Sequence, residues 1–423
     1  MKKSIFLLAV PFLLQAETLA QLFDALKHNA YTKEDTVLVE KAKVGQERAA
    51  SELYPRIDLF GKYDHYSEPT GMLPVPPNKL FPMIQNQNIP QPFSTNIYRM
   101  GASLSMPIFI KSIYTAADKS EKLQESANAK KHINQLKHEA VIVGSNANLQ
   151  YLEVLSNSLE SKKKSLQETL KSLQVKVDNG RAPGAELYKI RDSINEVEIV
   201  QNSIALQREK LLSTIESLTG MRLDLPVEMR QVGDYSENSL SSLDPLRKKV
   251  EADAIGLKAE KEKRYPSLVA TGNFTRSYGK SYNNNEDVYV SYSSVGVVLN
   301  IPLLAMNQYA DIDQAALDLE ASKTELERLQ TELNAQTTEL KHSLPLYDKS
   351  IALSEKSIAD KEQLLAIAKV NFNSGRLSTE EYLRYEDALV EQKAKLYANK
   401  AKKWQSLMAL AVIYANNIEE IVK

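Results

Sequence analysis

The stretch GASLSMPIF at positions 101–109 returns as GVVLNIPLL at 296–304. Each reads glycine, an alternating apolar run, then proline and more apolar residues. Pro107 and Pro302 are 195 residues apart. The same offset joins NGRAPGAELYKIRDS (179–193) to SGRLSTEEYLRYEDA (374–388), setting Gly180 on Gly375 and Arg181 on Arg376. Two landmarks that keep their spacing in both halves mark a duplicated architecture. A third pair, Tyr54-Pro55 and Tyr265-Pro266, is 211 residues apart, so the first copy carries 16 extra residues. The surplus falls in 67–94, which holds seven of the sixteen prolines. Such a segment reads as a long loop that neither joins a sheet nor continues a helix. The second copy has GKSYNNNED there, a shorter turn-rich loop.

The segments flanking these loops alternate. Ile57, Leu59, Gly61 and Tyr63 share one face, as do Tyr98, Met100, Ala102, Leu104 and Met106. Leu268, Ala270, Gly272 and Phe274 repeat the pattern, and so do Val295, Val297, Leu299 and Ile301. A period of two predicts strands, about 54–67 and 94–107 in the first copy and 265–278 and 287–302 in the second. Residues 54–109 and 265–304 hold 14 of the 30 Phe, Tyr and Trp residues. That enrichment suits outer-membrane strands with aromatic girdles, but a soluble antiparallel sandwich also alternates.

The helices decide between them. Lys111 to Asp178 contains no proline and only Gly144. Leu152, Leu155, Leu159, Leu166, Leu170, Leu173 and Val177 recur at three- and four-residue steps. A helix over about 110–179 would reach roughly 100 Å. The second copy predicts another over 305–374, with a kink or break at Pro345. Returning helices are predicted at 184–219 and 378–417, and shorter ones precede each hairpin at 18–52 and 243–263. Residues 17–220 thus form the first repeat, 221–242 a linker without clear periodicity, and 243–423 the second repeat. The fold class is mainly α with a small β part. Pro107 and Pro302 are expected at the strand–helix junctions, where a missing N–H costs little.

Residues 1–16 read as a signal peptide: two lysines, an apolar run from Ile5 to Leu14, then Ala16. The run is too short to span a bilayer as a helix. With 53 basic and 54 acidic residues there is no electrostatic case for nucleic acid. The chain has no cysteine, which excludes disulfides, thiolate metal sites and a Cys nucleophile. The five histidines are scattered, and His132 and His138 do not share a helical face. There is no phosphate loop, HExxH or nucleophile elbow. No enzymatic activity and no cofactor or metal are expected. Four strands cannot close a membrane barrel alone, so if they cross a membrane several chains must pool them.

The whole pattern resembles the TolC-like outer membrane efflux proteins. The resemblance rests on LAQLFDALKHNAYTKED near the mature start, YPRI and YPSL opening the hairpins, GASLSMPIF and GVVLNIPLL closing them, and NGRAPGAELY and SGRLSTEEYL at the turns. It implies a homotrimer whose twelve strands form one barrel in the outer membrane of a Gram-negative bacterium, above a helical periplasmic tunnel. It also implies a passive exit duct of a tripartite efflux system, docked on a periplasmic adaptor and an inner-membrane pump. Type I protein secretion is the alternative within that reading, and a soluble periplasmic coiled-coil or adaptor protein the alternative outside it.

Under the resemblance the turns form the tunnel tip. Arg181, Ala182, Pro183 and Gly184, with Arg376, Leu377, Ser378 and Thr379, would face the adaptor or a neighbouring subunit. Gly180 and Gly375 would supply the positive φ of a tight interhelical turn. Ser378 followed by Glu381 also fits a capping box. Asp178, Glu186, Glu380 and Glu381 lie nearby, either as a cation-attracting ring or as partners of the helix dipoles.

Overall fold

The structure, a computed structural model, describes residues 18–72 and 74–423. The expected signal peptide lies outside the described residues. In chain order the elements are α1 (Leu19–Lys27), α2 (Ala30–Ser51), β1 (Arg56–Gly71), α3 (Pro77–Gln85), β2 (Phe93–Phe109), α4 (Lys111–Asp178), α5 (Ala185–Thr219), α6 (Asp244–Glu262), β3 (Ser267–Lys280), β4 (Asp287–Asn300), α7 (Met306–Asn373) and α8 (Thr379–Tyr414). Two compact units share them. One gathers the chain up to Leu38, Ala129–Asp244 and Glu327–Lys423; the other gathers Val39–Asn128 and Pro245–Leu326. The 68-residue helices α4 and α7 contribute to both.

The sheet lies in the second unit. Its strands follow chain order, β1-β2-β3-β4, and every pairing is antiparallel. The two hairpins of the duplication therefore join through β2 and β3 into one sheet. β1 and β4 remain as open edges.

Three expectations are corrected here. Pro107 is not at a helix start: it lies inside β2, paired with Val269, beside a register shift that ends at Phe109. A proline there interrupts the ladder without starting the helix, which begins at Lys111. Pro302 does stand at its junction, between the end of β4 at Asn300 and the start of α7 at Met306. Pro345 does not break its helix: α7 runs unbroken from Met306 to Asn373. The proline removes one backbone bond, and Leu344 beside it packs on the main core and holds the segment. The proline-rich 67–94 is not all loop. β1 runs on to Gly71, and α3 forms with Pro82 inside it. The helix starts at Pro77, where proline's fixed φ is tolerated.

In the first unit the core draws on α1 (Leu22, Phe23, Leu26), α4 (Ile142, Val143, Leu149), α5 (Leu212, Ile215) and α8 (Leu407, Met408). Each such side chain contributes about 2 kcal/mol by leaving water. α1 begins with a capping box in which Thr18 and Gln21 satisfy each other's backbone. The aperiodic segment 221–242 is packed rather than free: Leu223 and Val227 are buried with Ile418, Ile421 and Val422 of the C-terminal turn. Asn146, fully buried on α4, pins it by donating to the Val227 carbonyl (2.7 Å) and accepting from the Val227 N–H (2.8 Å). An isolated bridge joins Gln231 to Val422.

Glu139 is buried on α4, and burial raises its pKa; Gln135 donates to it at 2.9 Å. A carboxyl with a raised folded-state pKa favours folding at low pH and loses that contribution as pH rises through the folded value. E139Q is therefore expected to raise Tm at pH 8, with the gain disappearing by pH 4, in thermal melts of the detergent-solubilised protein.

Candidate functional site: an aromatic belt and a paired-turn tip

The register of the sheet aligns its apolar residues into rows. Tyr63 pairs with Tyr98, Tyr98 with Tyr278, and Tyr278 with Tyr289, so one tyrosine from each strand stands in a single line. Neighbouring rings lie 4.9, 6.0 and 4.9 Å apart. The Tyr63 hydroxyl donates to Asn96 (2.9 Å) and the Tyr278 hydroxyl to Asp287 (3.0 Å). On the same face lie Leu59, Ala102 and Phe274, then Ile57, Leu104 and Val295, then Val297 and Leu299. This face is open: Leu59 is 84% and Val295 90% exposed. Tyr54 and Tyr265 are exposed just before β1 and β3, at the opposite end.

From Leu268 to Tyr278 the strand rises about 33 Å. At the tilt of barrel strands that is about 25 Å of height, the thickness of an outer-membrane apolar band. The opposite face is mainly polar on β1, β2 and β3, while β4 places Val288, Val290, Tyr292 and Val298 there. That face carries an ion pair between Arg99 and Asp64, with Lys62 2.8 Å from the same carboxylate, and Ser103, Asn273 and Thr275. Apolar-out, polar-in strands bounded by aromatic rows are the signature of a membrane barrel. Among the described residues no helix is long and apolar enough to cross a membrane.

The helix turns form the other site, in the first unit. α4 and α7 end in the same motif. Gly180 (φ 66°) donates to Val177 O and Arg181 to Lys176 O; Gly375 (φ 75°) donates to Phe372 O and Arg376 to Asn371 O. This is the Schellman arrangement, and its left-handed residue favours glycine. The helix that follows starts differently in each copy. Gly184 is the N-cap of α5 without a side-chain bond, whereas Ser378 caps α8 in a full capping box with Glu381. That bonding to Ser378 holds the Glu381 pKa below the usual carboxylate value.

The acids do not gather into one ring. Asp178 accepts from Gln174 and Glu380 from Arg384, each at 2.8 Å. Glu186 lies 3.0 Å from Lys189, which with the Thr379 hydroxyl lowers its pKa. Glu186 and Thr379 thereby tie the two turns together. Lys176 makes a second tie, donating to Asn373 O (3.3 Å) over the Phe372 ring. Ala182 packs on the α4–α5 core and Leu377 on Phe372 and Tyr382. Pro183 is exposed, as are Arg181 and Arg376, whose guanidinium groups have no partner among the described residues.

Behind the turns a polar seam joins α4 to α8. Ser165 Oγ donates to Glu386 (2.7 Å), the Tyr382 hydroxyl donates to the same oxygen (2.5 Å), and Lys162 pairs with Asp387. Burial, then the bond to Glu386, push the Tyr382 hydroxyl up to about 12, so it stays a donor at physiological pH. Among the described residues no cluster could hold a metal ion.

No protein-family profile matches the chain, and no curated protein matches it in sequence. Solved structures do. The CmeC outer membrane channel of Campylobacter jejuni aligns over 94% of this chain and 85% of its own, with TM-score 0.75 and 17% identity. VceC of Vibrio cholerae aligns over 94% and 96%, with TM-score 0.76 and 12% identity. CusC, described as forming a transmembrane channel, aligns over 99% of both chains at TM-score 0.75 and 12% identity. The chain has the TolC-like outer membrane channel fold.

Within the TolC-like fold, the predicted turn residues stand side by side at the ends of α4, α5, α7 and α8, while the four acids are partnered locally. The full tyrosine row escaped the sequence reading, which placed Tyr63 and Tyr98 on the apolar faces but not Tyr278 and Tyr289. Carrying the period of two four residues past Phe274 and six before Val295 reaches both.

Proposed function

We propose that this chain is one subunit of a trimeric outer membrane exit duct, served by a periplasmic adaptor and an inner-membrane pump. The observation that carries the reading is the open four-stranded sheet with an exposed apolar face between aromatic rows. In water that face has no cover. In lipid its free edges are too costly unless β1 pairs with β4 of the next chain. Three chains give twelve strands, and closure removes every edge.

The helices support the same closure. α4 packs against α5 and α8, and α7 packs against α8 through Phe372 and Tyr382. This leaves apolar stripes on the outer helices: Tyr188, Ile199 and Leu206 on α5, and Leu346, Leu353, Leu364 and Ile367 on α7. Packing α5 of one subunit on α7 of the next is a head-to-tail contact, which closes into a ring. The chain is then a passive conduit, and the energy for export belongs to the pump.

The exposed, unpartnered Arg181 and Arg376 are the proposed adaptor contacts. Reversing both with Arg181→Glu and Arg376→Glu is expected to reduce export at least about tenfold, since each reversed charge opposes binding by ~1 kcal/mol or more. Trimers should remain in the outer membrane. Export is read as susceptibility to toxic compounds and as the secreted proteome, against a deletion strain. Unaltered export by the double variant would remove the turns from the docking role. A deletion strain indistinguishable from wild type in both assays would remove the export function.

A further inference from the structure

The two copies differ most in the insert between β1 and β2. We infer that this insert is a size filter seated in the external mouth of the channel; the inference rests on the channel reading above. Its placement is set by two anchors. At the first, Met72 is buried and its carbonyl accepts from Ser277 Oγ (3.1 Å). The Met72 side chain lies against Gly279, where an added Cβ would come within 2.8 Å of Met72 Cε. Ser277 pairs with Arg99, and Ile97, fully buried, pairs with Asp64. These residues share the polar face, opposite the tyrosine row. The insert is therefore folded over the face that lines the lumen, not over the face that meets lipid.

At the second anchor, the insert is bonded to the β3–β4 turn. Asn283 Nδ2 donates to Gln87 O (2.8 Å) and Ile89 O (3.0 Å), and Ser281 Oγ donates to Gln91 O (2.9 Å). The Gln91 N–H donates back to Ser281 Oγ (2.8 Å), and the Tyr282 N–H donates to Phe93 O. Between the anchors stands α3, with Phe81 65% and Ile84 48% exposed. Three such inserts, one per subunit, would narrow the mouth with bulky apolar groups. A constriction of that kind passes small solutes and holds back wide hydrated ones.

The absence of cysteine allows a clean test. Ser103 sits on the lumen face of β2, below the insert. Ser103→Cys trimers in intact cells would be treated from outside with a small maleimide and with a maleimide on a multi-kilodalton polyethylene glycol. The filter predicts fast labelling by the small reagent and slow labelling by the large one. Removing the latch with Ser281→Ala and Asn283→Ala, or replacing 77–85 by a Gly-Ser segment of equal length with both anchors intact, should speed the large reagent about tenfold or more. Equal labelling by both reagents in the latched protein overturns the filter and leaves the channel standing. Failure of even the small reagent to reach Ser103→Cys from outside overturns the channel reading and the filter with it. Failure of both variants to assemble shows the insert to be part of the barrel's core, and that too overturns the filter.

Discussion

Gly101→Val is expected to abolish barrel assembly: no SDS-resistant trimer, and rapid degradation of the exported chain. Gly101 lies in β2 opposite Thr275, in the pairing that joins the two duplicated hairpins. A Cβ added there would sit 2.1 Å from the backbone oxygen of Phe274 and 2.8 Å from the Phe60 ring. A ring can move aside; the neighbouring strand cannot without losing its ladder. Phe60 fills the space that glycine leaves, as aromatic residues do beside strand glycines. The β2–β3 pairing is also the one contact the duplicated hairpins share within the sheet. Gly61→Val is the control, because an added Cβ at Gly61 meets nothing within 4 Å. That variant should assemble.

Asn146→Ala is the second large effect. It removes two hydrogen bonds to buried Val227 and leaves the Val227 N–H without a partner. A stranded buried donor and the lost bonds together cost about 2–4 kcal/mol. Gln150 still donates to the Val227 carbonyl at 2.7 Å, so the loss falls on the N–H. The segment 221–242 should then detach before the helices unfold. Limited proteolysis would show it as new cleavage within 221–242, with α4 and α5 still protected. Asn146→Asp keeps an acceptor for the Val227 N–H but sets a carboxylate oxygen against the Val227 carbonyl in a fully buried site, and should be at least as damaging as Asn146→Ala at neutral pH.

The architecture was legible because duplication and periodicity are written in residue types. Two prolines and two Gly-Arg turns at one offset set the order of elements, and leucine spacing marked the long helices. What the sequence hid depends on partners. Gly101 looks like any strand glycine until the register sets it against Phe274. Tyr278 and Tyr289 lie in segments where Arg276, Ser291 and Ser293 dilute the alternation, and only cross-strand pairing lines them up with Tyr63 and Tyr98. Pro345 reads as a helix breaker, yet a long helix held by its neighbours absorbs one missing bond. Proline density in 67–94 suggested only loop, because where a proline falls within a helix matters more than how many there are.

The paired helix turns were legible in part. The glycine turns and the Ser378–Glu381 box are local motifs, written within six residues. The ties between the copies are not local: Lys176 to Asn373, and Glu186 to Thr379, join positions nearly two hundred residues apart. Which acids pair with which side chains also depends on rotamers that sequence spacing leaves open.

The most direct test of the central claim is an electron cryomicroscopy map of the full-length protein extracted in mild detergent. Three chains around one axis are expected, in a closed ring with β1 of each subunit bonded to β4 of the next and the tyrosine row facing the detergent belt. A single chain stable without detergent, with Leu59 and Val295 covered by its own residues, would contradict it.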